Sequence, residues 1–269
     1  MLADERRLTI SGVLDSVPQA CEFVATAARD AGLDDRAVYH CHLAVDEACT
    51  NVIEHGYAAH GEDRVLDLRC KQDAGRFVIT IIDDSPAFDP LTVAEPDRTT
   101  PIMEREVGGL GVYFIRKLMD EVSYEYTDSR NRLVMIKQIP QPPANDAAIP
   151  TAATQPIRAY NLTPKIRMLL PSGRLDSSQT AQLEAAVSRE MAAGYKLLVL
   201  NMSDVDYISS AGLKTLVSLW QRTRDAKGDL VLTTLKPRVR EVLEIIGLDL
   251  VFAIFDTPDK AVARIAYRK

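Results

Sequence analysis

Residues 42–57, with the sequence HLAVDEACTNVIEHGY, carry the side chains that could do chemistry most directly. Glu47 and Asn51 are four residues apart, so on a helix they point the same way. The carboxylate could take a proton, and the neutral carboxamide oxygen could coordinate a hard cation such as Mg2+. An ordinary amphipathic helix with its polar residues in water is the competing interpretation, and this stretch alone does not separate the two.

Two later stretches supply carboxylates and glycines. Residues 78–90 form an apolar strand that ends on the carboxylates of Asp83 and Asp84 and enters a turn. A glycine cluster then opens a helix, and its residues are Gly108, Gly109, Leu110 and Gly111. Backbone N–H groups at a helix N-terminus favour anionic oxygens, and glycine allows a close approach to them. A glycine cluster alone is weak evidence for a phosphate-binding site, whereas the three stretches in this order form a far more specific pattern.

With these stretches in this order, residues 8–139 resemble the GHKL ATPase family, and within it the anti-sigma-factor serine kinases of bacteria. The stretches match the asparagine, aspartate and glycine boxes of that family. The resemblance implies a kinase that uses ATP and Mg2+. Glu47 would accept the proton of the attacking hydroxyl, and Asn51 would bind the metal. Asp83 would accept a hydrogen bond from the adenine amino group, and the backbone of residues 108–111 would hold the phosphates.

The aspartate box departs from the family pattern at two positions. Members of the family usually carry Asp-x-Gly, where this chain has Asp83, Asp84 and Ser85. Ala87 stands where a further glycine is common. Glycine would leave this turn freer than serine or alanine does, which predicts an altered affinity for adenine.

The elements around these boxes predict a two-layer α/β sandwich. The predicted order is a strand at 7–13, a helix from 16 to 32, a helix from 34 or 35 that holds Glu47, strands at 64–71 and 76–83, a helix at 110–120, and strands at 121–127 and 132–139. Residues 85–107 are proline-containing and have no clear period. Because they lie between two nucleotide boxes, we interpret them as a lid over ATP, with a surface insertion as the alternative.

The composition changes from Pro140 onward to proline, alanine and polar residues with little to bury, which indicates a linker. We therefore divide the chain into an ATPase domain at 1–140, a linker at 141–157 and a second domain at 158–269. A flexible segment of about 16 residues spans roughly 20–25 Å, so the two domains can touch but need not.

The second domain alternates strands and helices, which predicts an α/β fold with helices on the faces of a mixed sheet. We predict strands at 167–170, 196–201, 229–234 and 251–255, and helices at 179–193, 212–226, 237–246 and 258–266. Two motifs carry a resemblance to the STAS domain of anti-sigma-factor antagonists over residues 160–266. They are Gly173-Arg174-Leu175-Asp176 and Ile208-Ser209-Ser210-Ala211-Gly212-Leu213.

The STAS resemblance implies that a kinase phosphorylates a serine at the start of a helix. Alignment on the Gly-Leu pair puts this phosphoacceptor at Ser210, with Ser209 as the weaker candidate. The family pattern is Asp-Ser-Ser-Gly or Asp-Ser-Thr-Gly, whereas this chain has Ser209 in place of the aspartate and Ala211 at the second hydroxyl. A serine that only caps the helix is the competing interpretation and fits either residue.

Composition limits the partners and the compartment. The 269 residues carry a formal net charge of −6 and a pI near 5.3, which argues against direct nucleic-acid binding. Since no apolar run approaches about 20 residues, we expect no membrane span and a cytoplasmic location. The cysteines form no C-x-x-C pair and are expected to be buried reduced thiols rather than zinc ligands; they are Cys21, Cys41, Cys49 and Cys70.

Together these features predict a partner-switching regulator of a bacterial sigma factor. The kinase would be the anti-sigma factor and would phosphorylate a STAS-domain antagonist. That antagonist could be the chain's own domain in cis, the same domain in trans within a homodimer, or a separate protein. A PP2C-type phosphatase would oppose the phosphorylation. The alternative function is a non-catalytic scaffold, in which nucleotide sets the conformation and the STAS domain docks partners.

Overall fold

The computed structural model describes residues 5–57, 64–93, 110–139 and 157–266. They divide into two compact units, one made of the described residues up to 139 and the other of 157–266. Gly108, Gly109 and the linker predicted at 141–157, apart from its last residue, lie outside the described part of the chain. The same is true of the predicted lid from residue 94 to 107.

The first unit is a five-stranded antiparallel sheet, in the order β1-β2-β3-β5-β4, with helices packed on it. Its elements are β1 (Arg6–Ser11), a 3-10 turn (Leu14–Ser16), α1 (Val17–Asp30), α2 (Asp35–Asn51), a π-helical turn (Val52–Gly56), β2 (Val65–Asp73), β3 (Arg76–Asp83), a 3-10 turn (Pro90–Thr92), α3 (Leu110–Leu118), β4 (Glu121–Thr127) and β5 (Arg130–Gln138). The predicted α/β sandwich is confirmed.

Local sequence explains how α2 is placed. The side chain of Asp34 caps the helix by accepting a hydrogen bond from the backbone N–H of Ala37 at 2.7 Å. The inward face consists of small apolar residues that are at most 4% exposed, namely Cys41, Ala44, Val45 and Ala48. This face packs against α1 and the sheet in one hydrophobic core. The neighbouring face of α2, which carries Glu47 and Asn51, is therefore held in a fixed orientation.

The second unit is an α/β domain with a mixed sheet. Its elements are β6 (Arg158–Thr163), β7 (Ile166–Leu170), β8 (Ser172–Leu175), α4 (Ser177–Ala192), β9 (Leu197–Asn201), β10 (Asp204–Ile208), α5 (Ser210–Asp225), β11 (Asp229–Thr233), α6 (Pro237–Ile245), a 3-10 turn (Leu248–Leu250), β12 (Ile254–Phe255) and α7 (Pro258–Ala266). The main sheet has the order β12-β11-β9-β7-β6, and only β6 runs antiparallel to its neighbour.

The continuous apolar run of β9 occupies the centre of this sheet, as its sequence predicts. Leu198, Val199 and Leu200 are fully buried. Three strands that the sequence did not predict are β6, β8 and β10. β6 is a partly exposed edge strand, while β8 and β10 pair with each other in a separate parallel ladder. Such pairing is a tertiary contact, which short polar sequences do not reveal.

No helix in the described ranges is both long and apolar enough to span a bilayer.

Candidate functional site

The predicted acid and amide lie on the final turns of α2, directly against the first turn of α3. A methyl group placed on Gly111 would lie 2.5 Å from Oε2 of Glu47 and 3.2 Å from Nδ2 of Asn51. Gly111 does not have a positive φ, so the site needs glycine here for space rather than for backbone freedom. The asparagine box and the described end of the glycine box are therefore in contact.

The carboxylate and the amide differ in their exposure to solvent. Glu47 is 4% exposed, and Asn51 is half-buried. The Glu47 carboxylate is therefore buried and has little access to water. Asn51 remains partly exposed to solvent, so its carboxamide oxygen could coordinate an ion. The roles predicted for Glu47 and Asn51 remain predictions.

The aspartate box meets the other end of the same helical segment. A methyl group on Gly56 would lie 2.7 Å from Cβ and 2.8 Å from Oγ of Ser85. Burial raises the pKa of the Cys49 thiol on α2, and the nearby carboxylates of Asp46 and Asp83 raise it further. The asparagine, aspartate and glycine boxes thus converge around the last part of α2.

Asp83 ends β3 and is 6% exposed. Its Oδ1 accepts hydrogen bonds from the backbone N–H of Ser85 at 2.9 Å, from the Ser85 hydroxyl, and from Nδ2 of Asn131 at 2.9 Å. Its Oδ2 receives no hydrogen bond from the described residues. The hydrogen bonds to this carboxylate are thus concentrated on one of its two oxygens.

The turn after Asp83 does not need glycine where the family usually has it. Neither Ser85 nor Ala87 has a positive φ. Serine and alanine therefore adopt this turn without backbone strain. The predicted effect of these two residues on adenine affinity remains a prediction, but strain is not its source.

The start of α5 in the second unit separates the two candidate serines. Ser209 is the N-cap, and its Oγ accepts a hydrogen bond from the backbone N–H of Gly212 at 3.4 Å. Ser210 is the first residue of the helix and is 8% exposed. The capping role therefore belongs to Ser209, and α5 begins two residues before the predicted start at 212. Gly212 is required because a methyl group there would lie 2.2 Å from the carbonyl oxygen of Leu175.

Comparison with known proteins gives the family of each unit. Residues 10–137 match the family described as histidine kinase-like ATPase domain, and residues 159–261 match the STAS domain. The chain is 31% identical over 151 residues to the serine-protein kinase RsbW of Halalkalibacterium halodurans. The aligned segment covers 52% of this chain and 91% of that protein. This chain belongs to the RsbW family of anti-sigma-factor serine kinases and carries a STAS domain.

The STAS unit has its own relatives. It is 38% identical over 91 residues to the anti-sigma factor antagonist BtrV of Bordetella bronchiseptica, which covers 34% of this chain and 78% of that protein. A crystal structure of an anti-sigma factor antagonist from Mycobacterium paratuberculosis aligns with a TM-score of 0.38 at 23% identity, covering 41% of this chain and 92% of that one. The two family resemblances drawn from the sequence motifs are confirmed.

Asn131 is part of the candidate site, although no sequence motif marks it. It lies on β5 directly opposite Asp83 and is 5% exposed. In the sequence it is one polar residue among several at the start of a strand. The signal that could have found it is the register of β3 with β5, since that register pairs Asn131 with the end of β3.

The residues present fit a Mg2+ ion that arrives with a nucleotide. No cluster of three or more His, Cys, Asp or Glu within the described ranges could hold a metal alone. Mg2+ prefers few protein ligands and completes its shell with water and phosphate. The carboxamide of Asn51, next to the N-terminus of α3, suits that mode of binding. Gly108 and Gly109, the other predicted phosphate-binding positions, lie outside the described residues.

Proposed function

We propose that this chain is a Mg2+- and ATP-dependent protein-serine kinase that controls a sigma factor by partner switching. The observation that carries the proposal is the contact of Gly111 with both Glu47 and Asn51. This contact brings together a helix N-terminus that can bind phosphate, an acid that can accept a proton and an amide that can bind a metal ion. The names of the relatives support it, because RsbW is a serine-protein kinase and BtrV an anti-sigma factor antagonist.

Each residue would have a distinct task in phosphoryl transfer. Asp83 would bind the adenine amino group, and the N–H groups at the start of α3, with the residues that precede it, would bind the phosphates. Bound Mg2+ would neutralise charge on the phosphates, with Asn51 as its protein ligand. The serine oxygen of the substrate bonds to the γ-phosphorus, the bond from that phosphorus to the β,γ-bridging oxygen breaks, and ADP leaves. Glu47 takes the serine proton.

The substrate would be a STAS-domain serine, and Ser210 is the candidate on this chain. Ser209 already serves as the helix cap through its bond from Gly212. A tethered substrate gains an effective concentration in the millimolar range when the linker can span the sites, so Ser210 can react in cis. Reaction in trans within a homodimer, or with a separate antagonist, uses the same chemistry.

Partner switching requires partners outside the chain. The kinase unit would sequester a sigma factor, and the phosphorylation state of a STAS antagonist would decide whether that sigma factor is released. A PP2C-type phosphatase would reset the antagonist. With these partners the protein would act in the cytoplasm, where transcription is controlled.

Incubation with γ-labelled ATP and Mg2+ tests the kinase proposal. We expect label on the wild-type chain or on an added STAS antagonist, and loss of label with Glu47→Gln while nucleotide binding is kept, because only the proton acceptor is removed. Ser210→Ala should abolish label on the chain itself, and Ser209→Ala should retain it. Nucleotide binding without label on any STAS substrate would instead favour the non-catalytic scaffold.

A further inference from the structure

The polar network around Asp83 contains two residues that the proposed chemistry does not use. Ser85 and Asn131 are 7% and 5% exposed, and both donate to the same carboxylate oxygen. We propose that Ser85 and Asn131 are positioning residues that fix the Asp83 carboxylate for the 6-amino group of adenine. We call the three residues the Asp83 clamp. This inference rests on the proposed function, since it concerns the base that the kinase accepts.

One oxygen of the Asp83 carboxylate is saturated with hydrogen bonds. Three donors reach Oδ1 of Asp83, two of them from Ser85 and one from Asn131. Rotation of the carboxylate would break these bonds together in a buried place, where unmade hydrogen bonds are expensive. The group is therefore held with Oδ2 as its remaining acceptor. A carboxylate oxygen pairs with an amino group and repels a carbonyl oxygen, so a fixed Oδ2 distinguishes purines by their 6-substituent.

The neighbours of the Asn131 amide define its orientation. Its Nδ2 donates to Oδ1 of Asp83 at 2.9 Å and to the carbonyl oxygen of Ser85 at 2.9 Å. Its Oδ1 accepts from the hydroxyl of Tyr124 at 2.6 Å and from the backbone N–H of Phe88 at 3.3 Å. A flipped amide would set oxygen against two acceptor oxygens and NH2 against the Phe88 N–H. Only one orientation satisfies the network.

Ser85, which stands where the family usually has glycine, takes part in this network through its side chain. The Ser85 hydroxyl donates its one proton to Asp83, and its oxygen shares one N–H of the Asn131 amide with Oδ1 of Asp83, at 3.0 Å from Nδ2. Room for this side chain exists because residue 56 is glycine, and a methyl group there would lie 2.7 Å from the Ser85 Cβ. Gly56 and Ser85 are thus matched in shape. Serine at position 85 therefore adds a donor to the clamp instead of weakening the site.

The test compares ATP with purine riboside 5′-triphosphate, which lacks the 6-amino group. Calorimetry with Mg2+ gives the dissociation constant of each nucleotide for the wild-type chain, Ser85→Ala and Asn131→Ala. One hydrogen bond to a charged group is worth roughly 10- to 100-fold in affinity, which is the expected wild-type preference for ATP. Both variants should lose most of that preference by binding ATP more weakly, with an affinity for the purine analogue within about threefold of wild type.

Control variants separate positioning from folding. Arg132→Ala changes the next residue of β5, which is exposed and paired with Glu125, and should leave the preference unchanged. Asn51→Ala should weaken both nucleotides equally, since the metal end does not contact the base. Ser85→Gly restores the usual family residue and keeps the turn. This variant replaces Ser85→Ala in the test if the alanine variant proves unstable. It should also reduce the preference for ATP over the purine analogue.

The outcomes distinguish this inference from the proposed function. A wild-type chain that prefers ATP, with variants that keep the same preference, would overturn the clamp and leave the kinase proposal standing. Equal weakening of both nucleotides in Ser85→Gly and Asn131→Ala would assign these residues to the fold alone and also overturn it. A wild-type chain that binds neither triphosphate would refute the proposed function and the clamp with it.

Discussion

Gly111 is the residue on which the proposed geometry depends most closely. Its missing side chain leaves the space in which the Glu47 carboxylate lies, since a methyl group would come within 2.5 Å of Oε2. The carboxylate is the movable end of a flexible side chain, so Gly111→Ala should displace it rather than unfold the protein. A shift of about 1 Å in a catalytic group can cost roughly 100-fold in rate, and we expect that loss of phosphoryl transfer.

Single-turnover labelling and thermal melting of Gly111→Ala test this prediction together. The variant should melt within a few degrees of the wild type while labelling far more slowly. In a Glu47→Gln background the same substitution should cost little further rate, because both changes act on one carboxylate. Additive losses in the double variant would mean that Gly111 acts through something other than Glu47.

At the scale of one element, the start of α5 offers a matched pair of serines. Ser209→Ala removes the cap that receives the Gly212 N–H and should lower the unfolding free energy of the STAS unit by about 1 kcal/mol. Ser210→Ala leaves the cap in place and should cost less stability, yet it removes the proposed phosphoacceptor. Denaturant unfolding should therefore show the larger loss of stability in Ser209→Ala, and phosphate labelling should be lost in Ser210→Ala. Loss of label with Ser209→Ala alone would reassign the acceptor.

The elements also show which features the sequence predicts. α2 was predicted correctly because its cap at Asp34, its apolar stripe and its polar face are all local signals. β8 and β10 were missed because each depends on the other for pairing. Asn131 was missed for the same reason, since only the β3–β5 register brings it to Asp83. The boxes could thus be predicted from the sequence, and the network that positions them could not.

At the scale of the whole molecule, the two units should respond differently to alkali. All four cysteines lie in the ATPase unit as buried thiols. Burial raises the pKa of Cys41 from 9.0 to about 12 and that of Cys70 from 9.0 to about 12. Between these values the unfolded chain loses thiol protons that the folded unit retains. Below about pH 9 the buried protonated thiols therefore make their full contribution to the unfolding free energy of the ATPase unit. Above that pH the unfolding free energy falls, by up to about 1.4 kcal/mol per pH unit for each thiol.

Urea unfolding between pH 7.5 and 10.5 tests this difference. The single tryptophan, Trp220, lies on α5, so its fluorescence reports the STAS unit, while circular dichroism reports both units. The transition seen only by circular dichroism should move to lower urea at alkaline pH, and Cys70→Ala should reduce that movement. The account of the buried thiols is wrong if the tryptophan transition moves as far as the other.

The central claim is that α2, the end of β3 and the start of α3 hold one nucleotide between them. A crystal structure of the chain with Mg2+ and a non-hydrolysable ATP analogue tests it most directly. We predict adenine hydrogen-bonded to Asp83, the metal about 2.1 Å from Oδ1 of Asn51, and phosphate oxygens at the N-terminus of α3. A nucleotide bound away from Glu47 and Asn51, or crystals that take up none, would contradict the claim.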